Sequence, residues 1–100
     1  MTHANPQFSV IIVTHNSNNY LVECMKALTT QRNKNFEVII VDNNSNEDLI
    51  NFDKFNSLEI KIIKLEKNFG FAAANNIGAK RAIGKWLITL NPDAIPEDNW

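Results

Sequence analysis

Two runs in this 100-residue chain nearly repeat each other: Phe8-Ser9-Val10-Ile11-Ile12-Val13 and Phe36-Glu37-Val38-Ile39-Ile40-Val41. Both are short, rich in β-branched residues and almost continuously apolar. A strand with one wet face alternates, whereas a strand covered on both faces does not. These runs therefore belong to the interior of a parallel sheet with helices on both sides. The echo continues into the loops, where Thr14-His15-Asn16-Ser17-Asn18 is matched by Asp42-Asn43-Asn44-Ser45-Asn46. Two interior strands meeting the same demands explain the likeness without an internal duplication.

The segments between and after these runs complete an alternating pattern. Ser17 is placed to cap a helix whose apolar residues Tyr20, Leu21, Cys24, Met25 and Leu28 recur at helical spacing. A short, weakly helical segment is expected over Glu47–Phe55. Leu58–Leu65 carries lysines among its apolar residues, as an edge strand does to discourage unwanted pairing. Asn68-Phe69-Gly70 turns into an alanine-rich helix over Phe71–Ile83, with Gly70 free to take positive φ and Gly84 as the terminator. Trp86–Leu90 then reads as a buried fourth strand, stopped by Pro92, which has no N–H to donate. The order β-α-β-α-β-α-β implies an α/β, three-layer Rossmann-like half with a mainly parallel sheet. With the lysine-bearing strand at the edge, the strand order is 3-2-1-4. Ligands in such sheets sit at the carboxyl ends of the strands, beside the switch point, which gathers Thr14, Asp42 and Asp93 along one edge.

Several functional classes are excluded. A formal net charge of −1 gives no basic patch for nucleic acid. No apolar run reaches the roughly 20 residues that span a bilayer, and the start lacks a signal-peptide pattern. The single cysteine, Cys24, fits a reducing compartment, so a cytoplasmic location is expected. No Walker A sequence occurs, and no G-x-G-x-x-G follows the first strand, which argues against P-loop NTPases and dinucleotide dehydrogenases. Residues 1–7 read as a disordered lead-in. Pro96 with Glu97 and Asp98 looks like the first turn of a helix cut short at Trp100, so the chain reads as the amino-terminal part of something longer.

The polar residues at the expected carboxyl edge have two readings each. Asp42 can accept hydrogen bonds from a nucleoside or make the turn of its own loop. Asp93 can hold a ligand or cap the helix that starts near Pro96. His15 reads as a solvated loop residue. Asn75 and Asn76 stand early in an alanine-rich helix, where one amide can face a ligand and both donate and accept.

Four segments together resemble the nucleotide-binding half of a family 2 glycosyltransferase of the GT-A fold: Val10–Asn16, Glu37–Ser45, Asn68–Gly78 and Leu90–Asp93. The Asn-Phe-Gly-Phe and Asn-Pro-Asp forms are most similar to the rhamnosyltransferase-like branch, whose members build bacterial cell-surface polysaccharides. The resemblance implies that residues 8–100 are a nucleotide-sugar-binding subdomain ending before the acceptor half. It implies that Thr14 and Asn16 line the nucleotide pocket, and that Asp42 accepts from base or ribose. Asn68, Gly70 and Phe71, with Asn75, would close over the nucleoside. Asp93, from the D-x-D element, would hold Mg²⁺ or Mn²⁺ against the diphosphate of a UDP- or dTDP-sugar. Asn91 replaces the first aspartate of that element, leaving one carboxylate, which a hard cation that also takes phosphate oxygens can accept. The general base of such enzymes lies beyond Trp100, so the chain alone is not expected to catalyse transfer. The full-length protein would transfer the sugar with inversion to a glycan or lipid-linked acceptor, at the inner membrane face if it is peripheral. Apolar surface left by a missing half would favour self-association.

The rival from another class is a non-catalytic α/β nucleotide-binding or regulatory module. A receiver-like domain needs an acidic pair after the first strand, where Thr14-His15-Asn16 offers none. A nucleotidyltransferase would open with a glycine-rich basic loop at the same place, and that loop is absent.

Overall fold

The computed structural model describes residues 6–92. Four parallel strands, β1 (Phe8–Thr14), β2 (Phe36–Asp42), β3 (Glu59–Lys64) and β4 (Trp86–Thr89), form one sheet in the order β3-β2-β1-β4. Helices α1 (Asn18–Thr29) and α2 (Phe71–Arg81) cover its two faces. The α/β Rossmann-like half and its strand order are as the sequence implied.

Alternation along β1 and β2 divides their side chains between two cores. Val10, Ile12, Val38 and Ile40 pack with Leu21, Cys24, Met25 and Leu28 of α1, and with Phe55 and Leu58. Ile11, Val13, Ile39 and Val41 face the other way and pack with Ala74 of α2. Burying each large aliphatic side chain contributes about 1.5–3 kcal/mol. Helix α2 comes close to the sheet because it presents small residues. A Cβ on Gly78 would lie 2.8 Å from Ile11 Cγ2 and 3.0 Å from Val41 Cγ2.

Four local expectations need correction. Over Glu47–Phe55 only Asp53–Phe55 is helical, as a 3₁₀ turn. The start of that segment is held elsewhere: Asn18 N–H donates to Glu47 Oε1 (3.3 Å) and Asn18 Nδ2 donates to the Asp48 carbonyl (2.6 Å). Ser17 precedes α1 but its hydroxyl donates to the His15 carbonyl (2.9 Å), so it does not cap the helix. Helix α2 ends at Arg81 without a left-handed glycine, and Ala82 is already extended. Gly84 matters for space instead, since a Cβ there would meet the Phe8 carbonyl carbon at 2.5 Å and the Ser9 nitrogen at 2.6 Å. Strand β4 is not buried, with Trp86 and Leu87 each more than half exposed, because no described residue packs on its outer side. Just before β1, the Gln7 backbone bonds to Asn35 and receives the Trp86 N–H at 3.0 Å.

One charged group lies inside. Glu37 is fully buried, yet its carboxylate has three partners. Oε1 pairs with Lys61 Nζ at 2.7 Å. Oε2 accepts from the Ser9 hydroxyl (2.5 Å) and the Ile83 N–H (2.7 Å), and the Ser9 oxygen accepts in turn from the Gly84 N–H (2.8 Å). Lys61 in the edge strand thus neutralises a buried charge as well as marking an edge. Burial pushes the Glu37 carboxyl up, but the Ile83 N–H, Lys61 and Ser9 outweigh it and hold the group below its ordinary 4.5. A carboxyl depressed on folding stabilises the native state above its unfolded pKa, and that contribution is lost as pH falls through the lower folded value. Denaturant titrations below about pH 4.5 should therefore show stability falling with pH more steeply in the wild type than in Glu37→Gln. Equal slopes would show that Glu37 carries no such linkage.

Candidate functional site

Strands β1 and β2 end level, with Thr14 paired to Asp42 and Asp42 to Lys64. Their loops therefore leave side by side and bond to each other. The Asn43 N–H donates to the Thr14 carbonyl (2.8 Å) and His15 Nδ1–H to the Asn43 carbonyl (3.0 Å). The Asn16 N–H donates to Ser45 Oγ (2.9 Å), and the Asn46 N–H to Asn16 Oδ1 (2.7 Å). Asn16 and Asn44, at matching places in the echo, both take left-handed φ, 52° and 62°. Asparagine tolerates this region better than most residues. The repeated sequence thus has a local cause, as two adjacent loops make the same turn.

The third loop joins through Asn43. Its Nδ2 donates to Asn68 Oδ1 (3.0 Å) and the Gly70 carbonyl (3.3 Å), while its Oδ1 accepts from the Phe69 N–H (2.9 Å). Asn68 Oδ1 also accepts from the Gly70 N–H (2.8 Å). Gly70 has φ 86° and ψ 164° with open space where a Cβ would be, so backbone conformation demands glycine here. Phe71 opens α2 with its ring more than half exposed, and Asn75 Nδ2 donates back to the Phe71 carbonyl (3.2 Å).

Thr14, Asn16, Asp42, Asn68, Gly70, Phe71 and Asn75 thus stand along the loops at one sheet edge. Asp42 is buried and its Oδ1 accepts the Ser45 N–H (3.0 Å), so it makes the turn of its own loop. Thr14 Oγ1 is buried and, among the described residues, has neither hydrogen bond nor ion pair. His15 is braced on both ring nitrogens, since Nε2 accepts from Asn16 Nδ2 at 3.4 Å. Asp93 lies outside the described residues. Just past β4, the Leu90 N–H donates to the Ile11 carbonyl (2.9 Å), and the described residues end at Pro92.

Asn43 was missed as a site residue. The sequence placed it in a turn, but not as the hub linking all three loops. The available signal was an amide immediately after a buried strand, next to the candidate Asp42 and able to donate and accept at once.

No group of three or more His, Cys, Asp or Glu side chains able to hold a metal ion exists among the described residues. That donor set does not suit a cation held by protein alone. A separate cleft of about 440 Å³, lined by Phe52, Asp53, Phe55, Leu58, Ile60 and Ile62 among others, includes none of the loop residues above.

The model for Glycosyl transferase family 2 matches residues 9–100. The chain belongs to that family. Among solved structures, this family 2 domain is similar to S. aureus TarS 1-349, at 32% identity and a TM-score of 0.85, over 92% of this chain and 29% of that one. A TarS complex with UDP-GlcNAc aligns at 31% identity and a TM-score of 0.81, over 92% and 28%. The mannosyltransferase PcManGT from Pyrobaculum calidifontis, in complex with GDP-Man and Mn²⁺, aligns at 21% identity and a TM-score of 0.78, over 94% and 30%, a likeness of fold. The chain thus spans less than a third of the length of these structures. No curated protein matches it. The described residues contain no helix long and apolar enough to cross a membrane.

Removing the Asn43 amide should release the third loop. Asn43→Ala is expected to cost about 1–3 kcal/mol for the partners it strands. It should also speed exchange of the Phe69 amide more than that of the β2 amides, read by hydrogen exchange. Unchanged Phe69 protection would contradict the hub.

Proposed function

We propose that this domain binds the donor of a glycosyltransferase: a nucleotide-diphospho-sugar, with UDP or dTDP as its nucleotide. The observation that carries this reading is the convergence of three braced loops at the carboxyl edge, beside the buried Thr14 hydroxyl, which has no hydrogen-bond partner among the described residues. Family membership supports it, as does the likeness to TarS, which was solved with UDP and with UDP-GlcNAc.

Thr14 and Asn16 would line the nucleotide pocket, and Asp42 would accept from base or ribose through the oxygen that Ser45 leaves free. The turn at Asn68 and Gly70, with Phe71 and Asn75, would close over the nucleoside. Asp93 would hold Mg²⁺ or Mn²⁺ against the diphosphate, where the cation neutralises charge on the leaving group. With Asn91 as its companion, Asp93 is a single carboxylate, so cation affinity should be low without nucleotide.

In the full-length protein the acceptor is a glycan or lipid-linked hydroxyl, and its attack on the anomeric carbon inverts the configuration. The general base lies outside this chain, so the chain alone binds donor without transferring sugar. The setting is the synthesis of bacterial cell-surface polysaccharide, of the rhamnosyltransferase-like kind, in the cytoplasm or at the inner membrane face.

Calorimetry on the full-length protein tests the binding claim. UDP with Mn²⁺ should bind, Asp42→Ala should weaken binding about tenfold, equivalent to about 1.4 kcal/mol, and Asp93→Ala should abolish the gain from Mn²⁺. A well-folded wild type that binds neither UDP nor dTDP would overturn the proposal.

A further inference from the structure

The donor-site reading makes no use of Glu37, yet no other charged side chain among the described residues is so deeply buried. We infer that Glu37 is a positioning residue: its carboxylate fixes where β4 starts, and through β4 it sets the segment that leads to Asp93. The consequence for nucleotide binding rests on the proposed function, whereas the latch itself does not.

Strand β4 has little else to set its register. Its pairing with β1 covers only four residue pairs, Phe8–Trp86 to Ile11–Thr89. Its side chains are mostly exposed, so no buried face penalises a slip. By contrast, β1 and β2 pair over seven positions with nearly every residue buried. What β4 has is a polar anchor just before it. The Ile83 N–H donates to Glu37 Oε2, and the Gly84 N–H donates to Ser9, whose own hydroxyl is held by that oxygen. Gly84 allows this approach, because any Cβ would strike the Phe8–Ser9 backbone. Lys61 ties the other carboxylate oxygen to β3, which restrains Glu37 from two sides. A slip of two residues, the smallest that keeps each side chain on its face, would move the end of β4 by about 6–7 Å. It would carry Asn91 and Pro92 with it.

The loops that would grip the nucleoside are braced independently, through Asn43, Asn16 and Ser45. Loss of the latch should therefore act on the β4 end of the site and spare the rest. This selectivity separates positioning from general destabilisation.

The test uses the full-length protein with Glu37→Gln and the milder Ser9→Ala, which leaves the Glu37–Lys61 pair intact. Without ligand, both variants should speed amide exchange at Trp86 and Leu90 at least tenfold relative to Val38 and Ile40. With UDP as the probe, affinity without metal should stay within about twofold of wild type, while the gain from Mn²⁺ falls at least fivefold. Unchanged exchange in β4 relative to β2 would overturn the latch. Equal loss of UDP affinity with and without Mn²⁺, the signature of a merely structural role, would overturn the claim that the latch positions the β4 end of the site. If β4 exchange responds but the wild type binds no nucleotide, the latch stands and the donor-site reading fails.

Discussion

The rest of this structure depends on the pairing of β1 with β2. Seven residue pairs, Phe8–Phe36 to Thr14–Asp42, lock two doubly buried strands in one register. Because side chains alternate faces, slipping this pair by one residue would send every core residue to the wrong layer. Ile11 and Ile39 would leave the α2 face, and Glu37 would enter the apolar core around Leu21 and Met25. Two consequences follow at opposite ends of the sheet. At the carboxyl end both strands stop level, so the Thr14 and Asp42 loops can brace each other. At the amino end Ser9 and Glu37 stand side by side and capture the chain before β4.

The two ends rely on different chemistry. The carboxyl end is amide-rich: Asn43 and Asn68 bond to each other and, with Asn16, to the loop backbone, and the Thr14 hydroxyl has no hydrogen-bond partner among the described residues. The amino end carries a buried charge, tolerated because Lys61 and three hydrogen-bonding groups surround it, Gly84 acting through Ser9. Such a carboxylate is costly to strand, since breaking a buried pair leaves an uncompensated charge. That makes it a strong local fastener for a short strand with little hydrophobic grip.

Most of the architecture was legible because it rests on strong signals. Continuous β-branched runs identified β1 and β2, lysines marked β3 as an edge, and Asn68-Phe69-Gly70 marked the turn into α2. The failures share a cause, because each depended on a partner far away in the chain. Ser17 resembles a cap by position, but its hydroxyl turns back to His15, and the Asn18 N–H is met by Glu47, 29 residues beyond Asn18. Gly84 resembles a helix terminator, but its role is set by Phe8 and Ser9. Glu37 looked like one polar interruption in an apolar strand, and nothing local revealed its links to Lys61 and Ile83. Asn43 was hidden in the same way. Its neighbours indicated a turn, while its amide serves a loop 25 residues later.

The central claim is that the braced loops at the carboxyl edge, and not the cleft beside β3, receive a nucleotide. Amide chemical-shift mapping of the full-length protein titrated with UDP and Mn²⁺ tests it most directly. The account predicts shifts concentrated at Thr14–Asn16, Asp42–Ser45 and Asn68–Phe71, with Phe52–Ile62 unmoved. Shifts centred on Phe52–Ile62, or none at saturating UDP and dTDP, would contradict it.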